Sequence, residues 1–170
     1  MNPDASHSIS NSGASHPALR RFQFLLVFVG LFVAGYLSYL KLADAPAVCV
    51  QSGPFNCDVV LNSQYSELAG IPIAYLGFTV YIIIGLILAL EERHPALRQY
   101  GGLAVFGLGL FAWLFSMWLV YVQFGLLQAA CPWCLTHEAN FTLLFLTIVY
   151  RVYRETVDHG PSESHEKRVG

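Results

Sequence analysis

The chain has 170 residues, of which 55% are hydrophobic and only 12% charged, with a formal net charge of −2. A soluble domain carries about 25% charged residues, so the composition excludes an ordinary water-soluble globule. The lack of basic excess gives no case for a nucleic-acid partner, and no internal repeat is visible.

Residues 1–19, MNPDASHSISNSGASHPAL, are rich in Ser, His, Asn and Gly and are expected to form a disordered tail. The apolar run that opens at Phe22 is too long for the core of a cleaved signal, and no cleavage site precedes it. Four apolar runs predict helices at about 22–41, 71–91, 101–127 and 131–150. Each has about the 20 residues that cross a bilayer. The expected fold is all-α, a polytopic membrane four-helix bundle with one core over residues 20–154, followed by a polar tail, 155–170. Gly77, Gly107 and Gly109 read as points where helices approach closely.

Charge sets an expected orientation. Arg20 and Arg21 precede the first helix, Arg93 and Arg98 lie between the second and third, and Arg151, Arg154, Lys167 and Arg168 follow or end the fourth. Those eight of the nine basic residues fall on one side of a four-helix topology, and Lys41 alone on the other. The positive-inside rule then makes both termini cytoplasmic. The loops at 43–70 and 128–130 would face outward, to the periplasm or an equivalent space.

The outer loop reads VCVQSGPFNCDVVLNSQYSELAGIP. Gly53 and Pro54 turn the chain. Asp58 reads as the N-cap of a short amphipathic helix, with Val60/Leu61, Tyr65 and Leu68 at helical spacing, so that an apolar face lies across the bundle. Gly70-Ile71-Pro72 ends this segment and opens the second long helix.

All four cysteines, Cys49, Cys57, Cys131 and Cys134, are on or beside the outer face. An oxidising compartment permits disulfides there, and four cysteines allow three full pairings. Two structural disulfides are one reading. Cys-x-x-Cys spacing also suits zinc, but the x7 spacing of the loop pair is unusual for it and the face is oxidising, so no metal is expected. The third reading is redox chemistry, and the stretch CPWC favours it. With Cys131 at the N-cap and Pro132 at N1, unpaired backbone donors and the helix dipole favour a thiolate. Cys134 is one turn deeper, at a lipid-accessible depth where an apolar electron acceptor can reach it.

Four membrane helices, the loop pair Cys49-x7-Cys57, Ser63 six residues on, and CxxC opening the last helix resemble the vitamin K epoxide reductase family. CDVVLNSQYSELAGIP is similar to its bacterial branch, and the resemblance covers about residues 20–150. It implies a membrane thiol:quinone oxidoreductase that drives disulfide formation: electrons pass from a reduced thioredoxin-like partner to a quinone, ubiquinone or menaquinone. It implies the bacterial inner membrane as location. Some homologues carry the partner fused at the C-terminus; this chain ends too soon for it, so a separate periplasmic DsbA-like protein is expected.

By the same resemblance Cys49 exchanges with the partner, Cys57 bonds transiently to Cys131, and Cys134 attacks the quinone. Ser63 matches the family serine near the quinone and Tyr65 an aromatic lid position. Vertebrate members have an asparagine near the start of the second helix where this chain has Ile73. They have a tyrosine four residues after the final cysteine where it has Glu138. Both differences point away from an epoxide substrate and leave quinone reduction.

Quinone reduction consumes two protons. Glu138 lies about 6 Å deeper than Cys134 on the same helix face, with His137 on a neighbouring edge. An ionisable group within a membrane helix is a functional candidate by default, and Glu138, with His137, is expected to relay protons; an interhelical hydrogen bond is the competing role. Gln123 is a buried amide that can bond a quinone carbonyl or another helix. Trp113, Trp118, Tyr121 and Trp133 read as packing or interfacial aromatics. Two other functions fit the residues: a non-catalytic membrane scaffold with structural disulfides, and a quinone or quinone-epoxide reductase whose main output is reduced quinone.

Overall fold

The computed structural model describes residues 17–49, 55–91, 93 and 95–158. Four long helices, α1 (Pro17–Ala43), α3 (Ile73–Leu90), α4 (Pro95–Tyr121) and α5 (Pro132–Asp158), form the bundle. A short α2 (Cys57–Leu61) and a two-stranded hairpin, β1 (Glu67–Leu68) and β2 (Ile71–Pro72), lie between α1 and α3. A π-helical segment, Val122–Leu126, extends α4. The fold is all-α apart from the hairpin, and the turn at Gly53–Pro54 lies outside the described residues.

Helices 18–43, 73–90 and 100–126 are long and apolar enough to cross a membrane. The apolar run of α5 is interrupted by His137, Glu138 and Asn140, of which Glu138 and Asn140 are buried inside the bundle. Large apolar side chains such as Phe28, Phe32 and Leu103 point outward and are exposed, as lipid contact requires. Lipid is as apolar as leucine, so helix association in a membrane rests on close packing and interhelical hydrogen bonds.

Both are present. α1 packs on α3 and α5, and α5 also on α4, around a core that includes Tyr81, Ile84, Leu88, Val105 and Leu144. Asn140 of α5 donates from Nδ2 to the Tyr81 hydroxyl of α3 at 2.9 Å and to the Leu26 carbonyl of α1 at 3.0 Å. Trp113 of α4 donates to Thr142 of α5 at 3.2 Å, and Gln23 of α1 to Thr147 at 3.3 Å. A half-buried ion pair, Glu91 with Arg151, ties the end of α3 to α5. At the opposite end Lys41 pairs with Glu67 of the hairpin at 3.4 Å.

Several local features differ from the sequence reading. α1 starts at Pro17, inside the stretch expected as tail, and α5 runs to Asp158, past residue 155. Proline at the first helical position costs no hydrogen bond. The cap of α2 is Asn56, whose side chain accepts the Val59 N–H at 3.2 Å, not Asp58. α2 ends at Leu61, so Tyr65 and Leu68 are off the helix. The segment closes in a hairpin whose turn residues, Ala69 (φ 53°) and Gly70 (φ 80°), supply the two positive φ angles of a type I′ turn. Of the three glycines singled out, Gly77 faces His137 and Gly109 faces Phe145, but a Cβ at Gly107 would meet nothing. A tighter approach is at Gly30, where a Cβ would overlap the Tyr81 ring.

Candidate active site

Two chain turns converge at one end of the bundle. After the π segment, Gln128 takes φ 49° and the chain reverses into α5. The Ala129 N–H donates to the Gln123 backbone carbonyl at 3.1 Å, and the Cys131 N–H to the Gln123 side-chain oxygen at 3.0 Å. Gln123 is buried, so this amide satisfies a donor that the turn would otherwise strand. α5 starts at Pro132, and the Cys131 sulfur accepts the Cys134 N–H at 3.3 Å. The helix N-terminus therefore directs its free donors at Cys131.

The outer loop is clamped onto this turn at two places. The Asn56 N–H donates to the Ala130 carbonyl at 3.1 Å, setting Cys57 beside Cys131. The Trp133 indole N–H donates to the Val48 carbonyl at 3.0 Å, next to Cys49. Cys57 and Cys131 share one buried cluster with Leu40 and Ala47, with Cys49 and Cys134 packed against it. Cys49 and Cys57 form a disulfide; Cys131 and Cys134 are free. Cys57 and Cys131 are almost wholly buried, at 1% and 0% exposure, whereas Cys49 is half-buried and so the more reachable loop sulfur.

Below the turn is a cavity of roughly 530 Å³, mostly apolar, with Cys134, His137 and Glu138 in its wall. Ser63 and Tyr65 of the loop and Gln123 of the π segment line it too. All four residues that sequence reasoning tied to a quinone thus surround the space that Cys134 faces. Their hydrogen bonds refine their roles. The Ser63 hydroxyl donates to the Val60 carbonyl at 2.9 Å, which leaves it an acceptor. Tyr65 sits edge-on to Trp118 at 6.0 Å. The Gln123 oxygen is engaged by Cys131. Glu138 places Oε1 3.7 Å from His137 Nδ1, and its buried Oε2 has no partner among the described residues. Among the described residues no three His, Cys, Asp or Glu side chains are grouped to hold a metal ion.

Sequence reasoning missed two residues. Trp133, expected as a packing or interfacial aromatic, does pack on the cysteine cluster but also bonds the loop; a tryptophan between two cysteines carries no signal for that partner. Ser116 of α4 also lines the cavity, and a lone serine in an apolar run gives no signal.

The model of the vitamin K epoxide reductase family matches residues 22–149. The chain is 30% identical over 119 residues, 66% of its length, to the thiol-disulfide oxidoreductase LTO1 of Arabidopsis thaliana, and spans 31% of that relative. With its membrane-length apolar helices, the chain is an integral membrane protein and belongs to the vitamin K epoxide reductase family.

Proposed function

We propose that the chain is a membrane thiol:quinone oxidoreductase that drives disulfide formation in a thioredoxin-like partner. One observation carries the reading. Cys57 and Cys131 are buried together, Cys49 is reachable from outside, and Cys134 lines an apolar cavity. Two structural disulfides would need no such cavity at the second pair. The Arabidopsis relative is a thiol-disulfide oxidoreductase, which supports the same reading.

The steps balance. A reduced dithiol partner attacks Cys49 of the Cys49–Cys57 disulfide and leaves oxidised, with both loop cysteines reduced. Cys57 then attacks Cys131 of a Cys131–Cys134 disulfide, and Cys134 departs as a thiolate. Cys49 closes back on Cys57 and frees Cys131. Two electrons now rest on the inner pair, the pairing seen here. The accessible sulfur and the leaving thiol govern each exchange. Finally the inner dithiol becomes a disulfide, the quinone takes the two electrons, and the two thiol protons end on its ring oxygens. Glu138, beside His137, passes one of them.

A quinone suits the cavity on chemical grounds: an apolar wall for the ring and tail, a sulfur at one end, and a carboxyl, Glu138, whose Oε2 has no partner among the described residues and which can hand a proton to a ring oxygen. The placement is the inner membrane of a bacterium with the cysteines on the periplasmic side. Charge supports the orientation: Arg20 and Arg151 lie at the bundle end opposite the cysteines, and eight of nine basic residues belong to that side by sequence.

The test mixes the purified protein with a reduced dithiol protein and a short-chain quinone. Quinone bleaching that vanishes in Cys134→Ser supports the enzyme; cysteine pairs that neither exchange nor bleach the quinone favour a scaffold. Cys57→Ser mixed with the oxidised partner should hold it as a mixed disulfide, the Cys49 thiolate opening the partner's disulfide and releasing one partner thiol.

A further inference from the structure

We propose that Ser116 is a second polar anchor for the ring substrate, holding one ring oxygen from α4 while Glu138 meets the substrate from α5. The proposal rests on the thiol:quinone reading above and names a residue that the cysteine relay does not use.

The first observation is an unspent hydroxyl. A serine or threonine in a helix commonly discharges its hydroxyl onto a carbonyl of the preceding turn. Ser38 does so to Ala34 at 2.7 Å, Thr79 to Tyr75 at 2.8 Å, and Thr136 to Pro132 at 2.9 Å. Thr147 and Thr156 do the same at 2.7 and 2.8 Å. Ser116 is 6% exposed, and its buried Oγ has no partner among the described residues. A buried polar atom left unbonded is costly, and most of all in a membrane interior, where no bulk water compensates it.

The second observation is where the unpaired atoms lie. Among the described residues three buried side-chain atoms lack a partner: Gln23 Oε1, Ser116 Oγ and Glu138 Oε2. Ser116 and Glu138 line the cavity that Cys134 faces, and Gln23 does not.

The third observation sets the depth. The Trp113–Thr142 hydrogen bond joins α4 and α5, which run in opposite directions. Ser116 is three residues outward of Trp113, and Glu138 four residues outward of Thr142. At 1.5 Å per residue they lie about 4.5 Å and about 6 Å beyond the same crosslink, on two facing helices. Cys134 lies about 6 Å further out along α5. A ring with its edge at Cys134 has its oxygens within a zone bounded by a hydroxyl on one helix and a carboxyl on the other. A quinone oxygen accepts hydrogen bonds, and the same oxygen donates once reduced. A serine hydroxyl can donate or accept, so Ser116 serves both redox states without moving.

Ser116→Ala and Ser116→Thr test this. Each variant is assayed for the KM of a short-chain ubiquinone and, separately, for the rate at which a soluble dithiol reduces the Cys49–Cys57 disulfide. Loss of one hydrogen bond to substrate should raise the quinone KM roughly three- to tenfold in Ser116→Ala. The exchange rate should stay at the wild-type value, and Ser116→Thr should recover most of the KM. An unchanged KM in Ser116→Ala, or a fall in disulfide exchange as large as the effect on quinone, overturns the anchor. Wild-type protein that leaves quinone unreduced overturns the underlying reading instead, and the anchor with it.

Discussion

The Trp133 indole N–H donates to the Val48 carbonyl oxygen across 3.0 Å. This bond connects one of the two residues between the inner cysteines to the residue before the first outer one. The same ring rests on Tyr36, centroid to centroid 4.8 Å. Trp133→Phe keeps the ring contact and removes the donor. Electron transfer from the outer to the inner pair should slow about three- to tenfold, with stability changed by about 1 kcal/mol or less. Timed acid quench and thiol labelling measure the rate; an unchanged rate means that the clamp plays no part in alignment.

Gln123 accepts the Cys131 N–H at 3.0 Å from within the π segment. Gln123→Met fills similar space and strands that buried donor. A stability loss of about 1–3 kcal/mol is expected, visible as a lower melting temperature in one detergent. The inner pair should also react more slowly with quinone, because the capped turn that presents Cys131 loosens.

Glu138 is buried beside Cys134's cavity, and among the described residues its Oε2 has no partner. Glu138→Gln keeps the size and removes the transferable proton. Turnover should fall by about a hundredfold, the low end for a lost general acid, and the pH–rate profile should change shape. A profile identical to wild type would show that the carboxyl is only an interhelical contact.

Gly30 lies against Tyr81, whose ring is fully buried and whose hydroxyl accepts from Asn140 at 2.9 Å. Gly30→Ala pushes that ring off its position and should destabilise by about 1–3 kcal/mol, a typical cost of overpacking. Gly107→Ala, which meets no neighbour, should be neutral or stabilising by up to about 1 kcal/mol from helix propensity. Parallel thermal melts compare the two.

What the sequence shows clearly is what a long pattern specifies. The apolar runs mark the long helices because a span must satisfy its backbone internally over about 20 residues. CPWC fixes the start of α5, because proline at N1 and a cap ahead of it follow from local chemistry. Short-range features are weaker. Asn56 and Asp58 are both good caps, and only the tie from Asn56 N–H to Ala130 selects the first. The Ala69–Gly70 hairpin has two residues per strand, too few for alternation to appear. The π segment has no residue signature, yet it sets Gln123 against Cys131. Ser116 and Ser38 are the two serines of the described helices, and what sets Ser116 apart, its burial at the cavity and a bond it does not make, is visible only in three dimensions. Glu138 stood out because a carboxylate in a membrane helix is rare, whereas a serine there is not.

The central claim is that the inner pair delivers electrons straight to a quinone in the Cys134 cavity. A single-turnover experiment isolates this step: the double variant Cys49→Ser, Cys57→Ser is reduced, freed of reductant and mixed with a short-chain quinone. The account predicts that one quinone is consumed per chain as Cys131 and Cys134 become a disulfide, and that none is consumed when Cys134 is also replaced by serine. Quinone left untouched by the double variant, or consumed equally without Cys134, would contradict it.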